Sequence, residues 1–193
     1  MLQIISVITI ILIMMYVVAW GKKKLPHTSF SFVAWAMLLV YMVGNLYCTL
    51  FSRVPGSGLT VELKPFMSIV RLYSGSDDYV GKITGFFAWF MQRTVPCTSI
   101  VLNILLYSPL GYLLPIIFPK LKPKHVILIG CLCSIATEAT QYLLKMGWCE
   151  TDDVIHNTLG TAIGVWVWLW QSKRLNARRS AATETAEQKY DQN

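Results

Sequence analysis

The chain has 193 residues, of which 54% are hydrophobic and only 14% are charged. Soluble domains carry about 45–50% apolar and about 25% charged residues, so this composition excludes a water-soluble globule and a disordered chain. The net charge of +7 would suit a nucleic-acid partner in a soluble protein. In a membrane protein it reflects the basic residues of cytoplasmic loops, so no nucleic acid is expected as a partner.

Five apolar stretches follow one another along the chain, each close to the roughly 20 residues that a membrane-spanning helix needs. They cover residues 2–20, 31–51, 99–118, 126–144 and 154–171. Lys and Arg cluster after the first, third and fifth stretches, which places the amino terminus outside and the carboxyl terminus in the cytoplasm. The sequence predicts an all-α integral membrane bundle, multi-pass in the cell membrane, as one domain over 1–171. A basic and polar cytoplasmic tail over 172–193 follows it.

The long outer loop, 52–98, contains a further helical pattern. Its apolar residues recur at spacings of three and four; they are Val80, Ile83, Phe86, Phe87, Phe90 and Met91. About thirteen residues are too few to span a bilayer, so we expect a short interfacial or re-entrant helix in this loop. A helix packed against the other spans is the alternative.

Polar side chains at helical spacing lie inside the last three predicted spans. At about 1.5 Å of rise per residue, Asn103, Glu138 and Asn157 lie at similar depths in the outer half of the membrane. Since ionisable groups within a bundle usually face its interior, we predict one polar pocket that opens toward the outer leaflet. Its predicted ligand-binding residues are Asn103, Tyr107, Glu138, Gln141, Asp152, Asp153 and Asn157.

Each of these polar residues also has a structural interpretation. Glu138 and Gln141 can hydrogen-bond between helices, and an acidic pair at a helix start suits the helix dipole. In a catalytic pocket Glu138 would be the general base, and Asp153 or His156 would orient it or relay protons. No nucleophile is evident, so the sequence leans away from an enzyme without excluding one, and His156 can also simply face the membrane boundary.

Metals, cofactors and disulfides receive little support from the spacing of the candidate ligands. The outer carboxylates are not spaced as a hard-cation site requires, and we expect no metal and no cofactor. Five cysteines leave at least one unpaired, and Cys97 and Cys149 can both face outside without a spacing that predicts a bridge. The pair Gly160 and Gly164 is typical of close helix packing.

Three blocks of the sequence carry a family resemblance. They are Leu63-Lys64-Pro65-Phe66, the run from Asn103 to Gly111, and Glu138-Ala139-Thr140-Gln141 followed by the run from Asp152 to Gly160. In this order they resemble the VanZ-like membrane proteins, a family named for a teicoplanin-resistance protein. Many relatives have an Arg just before the acidic pair, where this chain has Gly147 and Trp148, with Lys145 as a nearby charge. Many also have a second Gly where this chain has Thr161.

The resemblance implies a cell-envelope protein that lowers susceptibility to teicoplanin-type lipoglycopeptides. The pocket would hold a lipid headgroup, a lipid-linked cell-wall precursor or the drug. A drug anchored by a lipid tail gains about 0.8 kcal/mol per buried methylene, and weakening this anchor would protect the cell. Two alternatives stay open: an intramembrane enzyme for a lipid-linked substrate with Glu138 as general base, and a small lipid transporter or flippase that would need a homo-oligomer.

Overall fold

The structure is a computed structural model that describes residues 27–51, 53–74 and 86–191. Helices make up most of this part of the chain, and they are joined by two short strands. In chain order the elements are α1 (His27–Leu46) with a π-helical turn (Tyr47–Phe51), β1 (Gly58–Glu62), α2 (Met67–Ser74), α3 (Phe86–Ile117), α4 (Pro123–Leu143), β2 (Met146–Glu150) and α5 (Thr151–Asp191).

Three segments of the described chain are helical, long and apolar enough to cross a membrane. They are Phe32–Phe51, Cys97–Ile117 and Pro123–Leu143, and they match the predicted second, third and fourth spans. The predicted first span, 2–20, lies outside the described residues. The predicted fifth span, 154–171, is helical within α5 but is not among the three, because its polar first turns and its tryptophans lower its mean hydropathy. A bundle of five spans is therefore not confirmed.

The helix expected inside the long loop differs from the one observed. Helix α3 begins at Phe86 and continues without a break to Ile117, so residues from 86 onward do not form a separate short helix. Residues 75–85 lie outside the described part. The prediction ended the short helix near Met91 and began the next span at Ser99, but no helix boundary lies between these residues in the structure. The short helix in this loop is α2.

The fold is not purely α-helical, because β1 and β2 form a two-stranded parallel sheet. The register runs from Gly58 opposite Met146 to Glu62 opposite Glu150. β1 alternates apolar and polar residues only over the four positions from Leu59 to Glu62, and β2 does not alternate, so neither was predicted as a strand. Since β2 directly connects α4 to α5, the sheet lies at the end of the bundle where α4 ends and α5 begins. We call this the sheet end.

Small residues bring α3 and α5 into backbone contact. A Cβ atom at Gly160 would collide with the carbonyl of Ile104, and one at Gly164 would collide with the carbonyl of Ser108. Gly111 of α3 lies equally close to the carbonyl of Thr161. The predicted role of Gly160 and Gly164 in close packing is thus confirmed. This contact, which we call the glycine seam, fixes how far apart the first turns of α5 and the middle of α3 lie.

Candidate functional site

Side chains from α3, α4 and α5 meet at the sheet end. The Asn103 side-chain amide donates a hydrogen bond to Asp153 Oδ1 at 2.5 Å. The Glu138 carboxylate accepts the backbone N–H of Glu150 at 3.0 Å, and its charge acts on Asp153. Three of the predicted pocket residues, Asn103, Glu138 and Asp153, therefore lie together. With Glu150 they form what we call the acidic cluster.

One turn away from this cluster, Asn157 links α5 to α4. Its Nδ2 lies 2.9 Å from the hydroxyl oxygen of Ser134 and donates to it. Asn157 is only 4% exposed, and its Oδ1 has no hydrogen-bond partner among the described residues. Since Asn157 follows Asp153 by four residues and Ser134 precedes Glu138 by four, both pairs lie on the same facing sides of α4 and α5.

Gln141 continues the same face of α4 toward the sheet end. Its Nε2 donates to the backbone carbonyl of Thr49 at 3.0 Å, which ties α4 to the π-helical turn after α1. The side chain is 2% exposed, yet its Oε1 lacks a hydrogen-bond partner within the described chain. The carbonyl of Thr49 can only accept, so the amide orientation is fixed and the unpartnered atom is an acceptor.

Asp152 has a different role from its neighbour Asp153. Its two carboxylate oxygens accept the backbone N–H groups of Phe66 and Ser68, each at 2.5 Å, and the Ser68 hydroxyl also bonds to it. Burial acts to raise the pKa of Asp152, but these hydrogen bonds outweigh it and hold the pKa below its ordinary value. An acidic cap at this position was predicted for α5, in whose first turn Asp152 does lie. Its carboxylate caps the start of α2 instead.

The other two predicted residues, Tyr107 and His156, lie beside the acidic cluster: the charge of Glu138 acts on Tyr107, and the charge of Glu150 acts on His156. The Tyr107 hydroxyl is 3.4 Å from that of Thr137, on the side of α4 that faces α1. His156 is buried and its charge acts on Asp152. Within the described residues no hydrogen bond joins His156 to Glu138 or Asp153, so the arrangement brings together no proton relay through this histidine.

The charges around Asp153 disfavour its ionised form. Burial, followed by the negative charges of Glu138 and Glu150, raises the pKa of Asp153 to about 7. Arg53 and the hydrogen bond from Asn103 act in the opposite direction but do not outweigh them. Asp153 can therefore gain or lose a proton near neutral pH.

A cavity of about 230 Å³ lies between α1, α3 and α4. Its lining is mostly apolar, and it is formed by Tyr41, Met42, Asn45, Leu46, Leu50, Tyr107, Leu110, Cys133, Ala136, Thr137 and Thr140. Consecutive residues point to different sides of a helix, so Thr137 faces this cavity while Glu138 faces the acidic cluster. The cavity and the cluster therefore lie on different faces of α4.

The described part of the chain contains no metal-binding group of side chains and no disulfide bond. No group of three or more His, Cys, Asp or Glu side chains is placed there to hold a metal ion. Cys97 and Cys149 are both free thiols, so the bridge that the sequence left open is not formed. The Cys149 thiol instead lies 3.7 Å from the backbone carbonyl of Glu138.

A comparison with family models settles what kind of protein this is. The VanZ/LLP1 family model matches residues 4–172, which is most of the chain. The chain belongs to the VanZ/LLP1 family. The resemblance carried by the three sequence blocks is thus confirmed, and together with the three apolar helices it identifies a VanZ-like membrane protein. No curated protein and no solved structure matches the chain significantly.

Many relatives carry an arginine just before the acidic pair Asp152 and Asp153. In this VanZ-like protein the positive charge comes instead from Arg53, in another part of the chain. Arg53 Nη1 donates to the carbonyls of Met146 and Trp148, at 3.2 and 3.3 Å, and its charge acts on Glu138 as well as Asp153. Lys145, the predicted substitute, is exposed. Arg53 was not among the predicted site residues. It is the first charged residue after the second span, on the side predicted to be outside, where the positive-inside rule makes basic residues less common.

The second departure from the family pattern is Thr161, which stands where many relatives have a glycine, and a glycine on α4 makes room for it. Thr161 is fully buried, and its side chain occupies the space beside Gly130, where a Cβ atom would collide with it. Its hydroxyl donates to the carbonyl of Asn157 at 3.0 Å. A larger residue on α5 is therefore accommodated by a residue without a side chain on α4.

Proposed function

We propose that this VanZ-like membrane protein lowers susceptibility to teicoplanin-type lipoglycopeptide antibiotics by binding a ligand at the acidic cluster. The ligand would be a lipid headgroup, a lipid-linked cell-wall precursor or the drug itself. The observation that carries the proposal is the surplus of hydrogen-bond acceptors in and beside the cluster. Two carboxylates, Glu138 and Asp153, lie between the unpartnered oxygens of Gln141 and Asn157 along the α4–α5 face.

Such a surplus favours a ligand that brings donors. A buried acceptor without a partner costs about 1–3 kcal/mol, which a bound donor would recover. Among the described residues, Arg53 is the only cation whose charge acts on both Glu138 and Asp153, and it already donates to two backbone carbonyls. An ammonium or a group of hydroxyls would therefore satisfy the site, and both occur on lipid headgroups and glycosylated molecules.

The proposed mechanism places the sheet end at the outer face of the membrane, with the amino terminus outside and the carboxyl terminus in the cytoplasm. Lysines lie at the opposite end, where Lys120, Lys122 and Lys124 connect α3 to α4. Basic residues favour the cytoplasmic side, which supports this orientation. A ligand held at the outer face would change how a tail-anchored drug settles on the membrane or reaches its target.

Drug susceptibility in a sensitive Gram-positive host tests this function. Cells carrying empty vector, wild type, Glu138→Gln or Glu184→Gln are compared at equal surface abundance, with teicoplanin and vancomycin side by side. Glutamine at 138 still accepts the Glu150 N–H but removes the charge. Glu184 undergoes the same chemical change roughly 45 Å along α5 from Asp153, at the usual helical rise.

Wild type and Glu184→Gln should protect selectively against teicoplanin, whereas Glu138→Gln should not. Equal protection by Glu138→Gln would show that the acidic cluster is not the site. Equal protection against vancomycin would argue against an effect on the lipid tail. The enzyme and the transporter remain predictions that no contact of the described residues favours, and membrane lipids and a homo-oligomer remain predicted partners.

A further inference from the structure

Apolar side chains between β1 and the middle of α2 are left uncovered. Leu63 is 71% exposed, Phe66 55%, Val70 49% and Ile69 41%. These four residues fall within an eight-residue stretch, 63–70, that includes the first turn of α2. In a monomeric soluble domain such a patch marks a contact surface, because large apolar residues seldom cluster in water.

Two contacts hold this stretch at the level where the helices end. β1, immediately before it, pairs with β2, and Phe66 and Ser68 donate their backbone N–H groups to Asp152 at the start of α5. β2 follows α4, one of the helices long enough to span the membrane, and α5 begins where β2 ends. The stretch therefore lies close to one end of a spanning helix, which is where the bilayer surface is found.

The backbone at Phe66 adopts an unusual conformation that its hydrogen-bonded neighbours maintain. Phe66 has a φ of +65°, a conformation that costs free energy in a residue with a side chain and persists only where other contacts enforce it. The Asp152 carboxylate provides such contacts by accepting the N–H groups on both sides of Met67. Leu63 and Phe66 are thereby held exposed at the turn, and no described part of the protein covers them.

We propose that residues 63–70, which we call the interface anchor, insert their apolar side chains into the membrane interface at the sheet end. The partner is the headgroup and upper acyl region of the adjacent leaflet. Phe51 and Val54, where α1 ends, are also exposed, at 75% and 69%. Lys64, exposed beside Leu63, can extend its ammonium to lipid phosphates while its methylenes stay among the chains.

The anchor fixes the depth of the sheet end in the membrane. Through Asp152 it is joined to the first turn of α5, so Asp153 and the rest of the acidic cluster are held close to the lipid headgroups. This inference does not depend on which ligand the cluster binds. It would hold equally if the cluster bound none.

Fluorescence quenching by lipids tests the anchor in the full chain. A dansyl-bearing amino acid is encoded at position 66, or at position 57 in the exposed turn before β1 as a matched control. The protein is reconstituted into phosphatidylcholine and phosphatidylglycerol vesicles that carry a nitroxide near the headgroup. We expect a clear loss of emission at position 66 and little loss at position 57. Emission at position 66 that resists the nitroxide but is quenched by aqueous iodide would overturn the proposal.

A second pair of variants tests whether the hydrogen bonds from Phe66 and Ser68 to Asp152 hold the interface anchor in place. With the probe at 66, Asp152→Asn should shift quenching from the lipid nitroxide toward iodide, because the amide cannot accept both N–H groups. Asp153→Asn, the same change one residue along the helix, should leave the quenching unchanged. Elution as a single species in detergent confirms that both variants fold. Equal quenching in Asp152→Asn and wild type would show that Asp152 does not hold the anchor.

Discussion

The glycine seam and the acidic cluster beside it are built in opposite ways. In the seam, Gly160 and Gly164 place α5 directly against backbone carbonyls of α3, and no room is left for one more carbon atom. In the cluster and the turns around it, buried oxygens of Gln141 and Asn157 have no partner in the described chain. The two regions therefore have different roles. Tight packing at the glycine seam fixes the helix positions, and this rigidity allows nearby polar groups to remain without hydrogen-bond partners.

The largest expected effect breaks the seam. Gly160→Val adds carbon atoms where a Cβ would already meet the Ile104 carbonyl, and overpacking of this kind typically costs about 1–3 kcal/mol or more. Gly44→Val is the matched control, since nothing lies within 4 Å of a Cβ at that position. Thermal unfolding of the purified protein in detergent should show a much lower midpoint for Gly160→Val and a nearly unchanged one for Gly44→Val. Similar midpoints for the two variants would mean that the seam is not tight.

The second effect sharpens the contrast between the two aspartates. Asp152→Asn loses at least one hydrogen bond to a charged group, worth about 1.5–3 kcal/mol. Asp153→Asn keeps an acceptor for Asn103 and removes a charge that Glu138 and Glu150 repel, so its stability at neutral pH should be unchanged or higher. Unfolding midpoints under identical conditions should therefore shift in different directions. Equal destabilisation by both substitutions would contradict the distinct roles assigned to them.

The smallest effect is a pH dependence that originates at Asp153. Its pKa is about 7 in the folded protein against an ordinary value of 3.8, so the fold favours the protonated form. The resulting stabilisation is complete below the ordinary pKa and is lost as the pH rises toward and through 7. The groups that face Asp153 are Glu138 on α4, Glu150 on β2, Arg53 after α1 and Asn103 on α3.

Unfolding midpoints from about pH 5 to about pH 8 check this dependence. The wild-type midpoint should fall over this range, and the midpoint of Asp153→Asn should fall less because the titrating carboxyl is gone. Asp152 adds no slope there, because its pKa lies below its ordinary value and its stabilisation is lost only in more acidic solution. Parallel curves for wild type and Asp153→Asn would show that Asp153 does not titrate in this range.

Much of the fold and part of the site follow from patterns that are local in sequence. Hydrophobic runs near the length of a bilayer predict α1, α3 and α4, because every backbone polar group in lipid must be satisfied within a helix. Helical spacing places Ser134, Glu138 and Gln141 on one face of α4, and all three are buried there.

What the sequence left undetermined depends on contacts between distant residues. The pairing of β1 with β2, the bond between Arg53 and the Met146 carbonyl, and the capping of α2 by Asp152 each join segments more than 80 residues apart. Such contacts leave no period in the sequence, since either partner alone resembles an ordinary loop residue. The start of α3 was misplaced because the prediction began the span with its apolar run at Ser99, whereas the helix extends back through the more polar residues before it to Phe86.

The sequence by itself determined the family, the apolar helices and which polar residues share a helix face, because periodicity and composition act within one element. Only the tertiary structure decided that Asp152 and Asp153 have separate partners, that Arg53 supplies the cation, and that His156 stands apart from Glu138. Adjacent residues on one helix point in different directions, so their roles depend on which neighbouring element each side chain meets.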